Sequence, residues 1–182
     1  MAELIYYLPG YGGQLRTGLG KALMDRGFDV TGRETRGDFA RMPFSDQVEV
    51  VVDDLKTHFW NENARVVANS FGAYLFWHAQ TRMASFPGRV LALSPIVGVF
   101  ANQDSGMNFM PPCAEQLQEA IEQGRLVAPR VCEIHTGSED WQSEPAAVTA
   151  LGQAMGVSVT VVPGNGHNLE IPYVAALLER WL

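Results

Sequence analysis

Apolar positions follow two alternating rhythms along this chain. Short continuous apolar runs are separated by longer stretches in which apolar residues recur every three or four positions. The first pattern is that of a strand buried on both faces, and the second marks one face of a helix. Leu4–Leu8, closed by Pro9 and Gly10, is the first predicted strand. A helix follows over 15–26, with Leu15, Leu19, Ala22 and Leu23 on one face and Gly27 just past its end. A second strand is predicted at 28–31. Ser45 is placed to cap a helix in which Val48, Val51, Val52, Leu55 and Phe59 keep helical spacing.

Residues 65–69, carrying Val66-Val67-Ala68, read as a third strand, and 71–83 as the next helix. A fourth strand at 89–93 ends at Ser94-Pro95. A loop rich in Gly, Asn, Met, Phe and Pro then covers 96–112. Beyond it come a helix at 114–123, a strand at 131–135, a helix at 145–155 with Pro at a favoured first-turn position, a strand at 157–162 and a closing helix at 171–182. No repeat or linker interrupts the series, so 1–182 is expected to form one domain. Short strands alternating with helices imply an α/β fold: a three-layer α/β/α sandwich around a mostly parallel six-stranded sheet. Right-handed crossovers put every strand-to-helix loop at one edge, the edge where such sheets bind ligands.

Composition narrows the function. The 182 residues are 47% hydrophobic and 18% charged, a globular balance. A net charge of -7 argues against nucleic acid, whose phosphates demand clustered Lys and Arg. No apolar run is long enough to span a bilayer. The N-terminal residues show no basic segment ahead of an apolar one, so no secretory signal is visible. Cys113 and Cys132 make no disulfide framework and fit reduced thiols in a cytoplasm. No His, Cys and Asp cluster has ligand spacing, so neither metal nor cofactor is expected.

Chemistry concentrates after four strands. Ala68-Asn69-Ser70-Phe71-Gly72 sits where the third strand turns into its helix, with small residues two before and two after the serine. A strained nucleophile turn needs that smallness, because backbone passes close on both sides. His167 ends Pro163-Gly164-Asn165-Gly166-His167, just past the last strand, where a base facing Ser70 belongs. His58, His78 and His135, within helices or at a strand end, are assigned structural roles. The orienting acid is expected between serine and histidine in chain order. Asp140, after the Gly137 turn, is the first choice, with Glu139 and Asp104 as competitors. The backbone N–H groups of Phe71 and Tyr11 are candidate donors for an oxyanion hole, since Pro9-Gly10-Tyr11-Gly12-Gly13 follows the first strand.

On Leu8-Pro9-Gly10-Tyr11-Gly12-Gly13, Asn69-Ser70-Phe71-Gly72, Gly137-Ser138-Glu139-Asp140 and Gly164-Asn165-Gly166-His167-Asn168-Leu169-Glu170, the chain resembles the α/β-hydrolase superfamily over essentially its full length. It looks like a small, nearly lidless member: the two antiparallel strands that usually precede the oxyanion strand have no room. Ala68 stands where the family usually has Gly, and Pro9 replaces the His common in the oxyanion loop. The resemblance implies hydrolysis of an ester, thioester or amide through an acyl-enzyme, with a small-molecule acyl substrate.

Three other readings compete. A nucleotide-binding domain shares the sheet class, but Leu15 stands where both its glycine-rich patterns need a small residue, and Ala22 replaces the Ser or Thr of a phosphate loop. A hydrolase-fold protein that binds a ligand or partner without turnover has no need of an intact Ser-His-Asp set. An acyltransferase or lyase on the same scaffold is not excluded by fold. Loops 33–44 and 96–112 are expected to shape the pocket, with Phe39, Met42, Phe100, Met107 and Phe109 as candidate linings and Trp141 beside Asp140. The 96–112 loop is expected over the active-site edge.

Overall fold

A computed structural model describes residues 3–102 and 106–182 of the chain. Eight strands and seven helices are assigned among them. They are β1 (Leu4–Leu8), α1 (Gly18–Met24), β2 (Asp29–Gly32), α2 (Gly37–Arg41), α3 (Phe44–His58), β3 (Arg65–Asn69), α4 (Phe71–Gln80), β4 (Arg89–Leu93), β5 (Phe100–Asn102), β6 (Met107–Phe109), α5 (Ala114–Glu122), β7 (Val131–Gly137), α6 (Pro145–Met155), β8 (Val159–Val162) and α7 (Ile171–Trp181).

Six strands form one sheet in the order β2-β1-β3-β4-β7-β8. Every pair in it is parallel. Side chains alternate between faces along a strand, and both faces here are apolar. Ile5, Tyr7, Val67, Leu91 and Leu93 meet Leu177, Leu178 and Trp181 of α7 and Leu23 of α1 on one face. Tyr6, Leu8, Val66, Ala68, Val90 and Ala92 pack with α3, α4 and α6 on the other. Burial on both sides explains why these strands read as unbroken apolar runs rather than as alternation. All ten residues of α4 are buried, so its apolar character all round follows from its central place.

Three features depart from the sequence reading. The 33–44 segment, expected as loop, contains α2, a five-residue helix with no buried side chain and hence no apolar periodicity to announce it. The 96–112 segment carries β5 and β6, an antiparallel pair with Phe100 opposite Phe109. Pro43, not Ser45, occupies the N-cap of α3; the Ser45 hydroxyl donates to Asp46 inside the first turn.

From β1 the chain passes to β2 on one side and then crosses to β3 on the other. Loops leaving neighbouring β1 and β3 therefore diverge, and the crevice between them is the topological switch point of the sheet. Ser70 and the 9–13 loop both lie there.

Candidate active site

Ser70 links β3 to α4 with φ 53 and ψ -117, a conformation that L residues rarely adopt. The strain is held by packing on both sides. A Cβ on Gly72 would stand 2.1 Å from the Leu8 carbonyl oxygen and 2.5 Å from that of Pro9, so only glycine allows the turn and the end of β1 to approach this closely. The Ser70 N–H donates to Leu93 O at 2.9 Å, tying the turn to β4. Phe71, Ala73, Tyr74, Leu75 and Phe76 bury the first turns of α4 beneath it.

The strained serine meets the histidine. Ser70 Oγ lies 2.8 Å from His167 Nε2, and His167 Nδ1 lies 3.0 Å from both carboxylate oxygens of Asp140. Asp140 is 2% exposed and also accepts from the Gln142 N–H at 2.9 Å and the Ser143 N–H at 2.8 Å. Those two donors satisfy a buried carboxylate that desolvation would otherwise penalise. Glu139 is exposed and takes no part in this chain of contacts, and Asp104 lies outside the described residues. Such an arrangement fixes one imidazole tautomer: Nδ1–H toward the carboxylate and a free lone pair on Nε2 toward the hydroxyl.

Backbone closeness brings the acid and base loops together. A Cβ on Gly137 would fall 2.1 Å from Asn165 O and 2.4 Å from Gly166 O. The Glu139 N–H donates to Asn165 O at 2.8 Å, and Asn165 Oδ1 accepts the Glu170 N–H at 2.8 Å. Asn165 thus pins both sides of the histidine loop. Ser143 Oγ donates to Ser94 O at 2.7 Å and sits 3.4 Å from His167 Nδ1. Asn165 is legible in the sequence only as part of the Gly-Asn-Gly turn, where Asn tends to bond nearby backbone, and Ser143 leaves no signal there.

Tyr11 and Phe71 flank the serine. Among the described residues neither N–H is hydrogen-bonded within the chain. A Cβ placed on Gly10 would be 3.3 Å from Ser70 Cβ, so the 9–13 loop runs against the serine. Thr35, 3% exposed, clamps that loop: its hydroxyl donates to Gly10 O and accepts the Gly13 N–H at 3.0 Å, and its carbonyl accepts the Gly12 N–H at 3.0 Å. Pro9 can offer no side-chain brace, and Thr35 supplies one from the loop after β2. A threonine at a strand exit carries no signal of that role in a single sequence.

The candidate pocket residues spread over several surroundings. Trp141, Phe100, Phe109 and Tyr11 form a chain of ring contacts, with centroids 5.5, 5.1 and 6.4 Å apart in turn, and Tyr11 then meets Phe71 at 5.7 Å. Phe39 packs on the main core, Met42 is half-buried beside α2, and Met107 is exposed. Phe100 and Trp141 line a cavity of about 540 Å³ that includes neither Ser70 nor His167. The cleft that does include them, about 410 Å³, is walled by Gln14, Thr17, Leu19, Gln142 and Asn168. Away from the site, His78 is buried edge-on against Phe44 and Tyr74, with ring centroids at 4.9 and 4.6 Å. His135 Nδ1 bonds the Tyr173 hydroxyl at 2.7 Å, and His58 is exposed at the end of α3. Burial, helped by Glu133, pushes the Cys132 thiol up to about 12, so it stays protonated.

Solved structures of the α/β-hydrolase fold superimpose on this chain over nearly its full length. The chain superimposes on alpha/beta hydrolase domain-containing protein 10 from mouse with a TM-score of 0.70 at 11% identity, covering 98% of this chain and 88% of that one. The chain has the α/β-hydrolase fold. It is similar too to the ydeN gene product of B. subtilis, with TM-score 0.66, 16% identity and 99% and 98% of the two chains covered. A monoacylglycerol lipase from Paleococcus ferrophilus matches with TM-score 0.66 at 12% identity, covering 99% and 92%. No family model and no curated protein sequence matches the chain. Among the described residues no helix of this α/β-hydrolase fold is long and apolar enough to cross a membrane.

Proposed function

We propose that this α/β-hydrolase-fold chain is a serine hydrolase that cleaves a small carboxylic ester or thioester through an acyl-enzyme. The observation that carries the reading is the contact between a strained Ser70 and His167 Nε2 at 2.8 Å, with buried Asp140 behind the ring. His167 takes the Ser70 proton as Oγ attacks the carbonyl carbon. Asp140 holds the tautomer and stabilises the imidazolium. Phe71 and Tyr11 N–H groups donate to the developing oxyanion. The C–O or C–S bond then breaks, and the imidazolium gives its proton to the leaving alcohol or thiol. Water repeats the sequence on the acyl-enzyme, releasing a carboxylic acid and restoring Ser70.

The uncommitted N–H groups beside Ser70 support the oxyanion assignment, because donors already bonded within the chain would be unavailable. The open cleft supports a small, accessible substrate, and Tyr11 on its wall is in ring contact with Phe109 of β6. Intact-mass analysis after exposure to a fluorophosphonate probe tests the reading. One adduct on the wild type and none on Ser70→Ala is the expected result. Turnover of p-nitrophenyl butyrate should fall by about 10⁶ in Ser70→Ala or His167→Ala. A folded wild type that takes no adduct would favour ligand binding without turnover.

A further inference from the structure

A second cavity shares a wall with the Ser70 cleft and has a different chemistry. It encloses about 400 Å³ between α1 and α7, over the ends of β3 and β4. Leu19 and Ala22 line it from α1, Val174, Ala175 and Leu178 from α7, and Leu169 from the histidine loop. Gly18, Leu19, Asn69, His167 and Asn168 belong to both spaces. Polar side chains gather where the two meet, at His167, Asn69 and Asn168, with Ser94 close by, and the remaining walls are hydrocarbon apart from Arg26.

Arg26 gives the slot its far end. Its Nη1 donates to Ala22 O at 2.9 Å, its Nη2 to Ala175 O at 3.5 Å and its Nε to Glu179 at 2.9 Å, so one side chain bridges the two helices. Both helices start at the catalytic edge of the sheet. With a rise of about 1.5 Å per residue, the four steps from Gly18 to Ala22 and from Ile171 to Ala175 give a depth of roughly 6 Å before that bridge. A mostly apolar groove of this kind, polar at one end and crossed by Arg26 at the other, suits a short hydrocarbon chain or an aryl ring.

We propose that this slot holds the hydrocarbon part of the substrate, so that the enzyme acts on esters or thioesters of short- to medium-chain acyl groups. The proposal rests on Ser70 being the nucleophile. The wall shared with the Ser70 cleft is what commits the slot to substrate: a chain seated there leaves its carboxyl carbon beside His167. Ala22 and Ala175 are the small residues whose size keeps the slot open, one on each helix.

The test is the ratio of kcat/KM for p-nitrophenyl hexanoate to that for the acetate, with Ser70→Ala as the blank and fluorophosphonate labelling run on the same samples. The wild type is expected to favour hexanoate by about tenfold or more, and Ala175→Phe to lose about tenfold in that ratio, the scale of a hydrophobic-pocket contact. Ala22→Leu narrows the opposite wall and should move the ratio the same way, which keeps the test alive if Ala175→Phe misfolds. Variants that label and melt like the wild type yet keep its ratio would overturn the proposal. Absence of any fluorophosphonate adduct on the wild type would instead sink the nucleophile assignment, and the slot as a substrate site with it. If Ala175→Phe keeps the ratio but turns a dimeric wild type into a monomer on gel filtration, the slot belongs to a second copy of the chain, and the proposal again fails.

Discussion

Thr35 offers a sharp separation of stability from catalysis. Thr35→Val keeps the shape and the backbone carbonyl but deletes the hydroxyl, and with it the bonds to Gly10 O and from the Gly13 N–H. The site is 3% exposed, so water does not replace them freely. Two lost buried hydrogen bonds at about 1 kcal/mol each predict a loss of about 2 kcal/mol. In a domain of this size that lowers Tm by roughly 4–8 °C. The Gly12 N–H bond to Thr35 O survives, and Gly13 keeps its 2.9 Å bond to Gly10 O, so the loop stays folded but loosens around Tyr11.

Catalysis should respond more than stability suggests. Full removal of one oxyanion donor costs about 10²–10³ in kcat. A loosened donor retains part of that, so kcat on p-nitrophenyl butyrate is expected to fall by about ten- to a hundredfold, with KM nearly unchanged because the contact matures only in the transition state. Thr35→Ser restores the hydroxyl and should recover most of kcat. Chemical denaturation and steady-state kinetics on the same preparations read both quantities. A Thr35→Val enzyme that is less stable yet keeps the wild-type kcat would refute the assignment: the hydroxyl would serve folding alone, and the 9–13 loop would not carry the donor.

Other perturbations address the remaining contacts. Gly72→Ala drives a Cβ to 2.1 Å from Leu8 O, where backbone rather than a flexible side chain must yield, so both Tm and fluorophosphonate labelling should drop; an unchanged melting curve would mean the turn is not packed on β1 as described. Asp140→Asn should lower kcat by about 10⁴, the scale of losing the carboxylate behind a catalytic imidazole, whereas Glu139→Gln at its exposed position should leave kcat alone. Burial, reinforced by Arg82, holds His78 down to about 4 from an ordinary 6.5. Between those values the unfolded chain binds a proton that the folded chain refuses, so stability should fall as pH is lowered from about 6.5 to about 4, by at most about 3 kcal/mol from this group. Burial lowers His135 as well, and it adds in the same direction. Urea titrations across that range should show the slope, and His78→Leu should flatten it; an unaltered slope would assign the acid sensitivity elsewhere.

The parts of the site that were legible in the sequence are those fixed by local chemistry. Ser70, Asp140 and His167 each follow an apolar strand run and sit among glycines, and a strand that ends in a glycine-rich turn delivers its next side chain to the carboxyl edge of the sheet, where the three meet. The choice of Asp140 over Glu139 needed one thing more. β7 continues through Thr136 and Gly137, and a backbone contact between Gly137 and the Asn165 carbonyl aims the following turn inward at its third residue. Thr35 and Ser143 were illegible because each acts through a loop far away in the chain, and neither residue type is unusual where it stands. The pocket shows the same limit most clearly. Phe100, Phe109 and Trp141 are large and fall in segments that read as loops, which makes them natural linings; in the fold Phe100 and Phe109 pair across β5 and β6, and their rings and that of Trp141 contact one another. Ala22 and Ala175, by contrast, read as ordinary small positions on two amphipathic helices at opposite ends of the chain. Whether such a position is packed or lines a cavity depends on what stands across from it, and here that is a helix about 150 residues away, bridged by Arg26, with both alanines on the wall of one cavity.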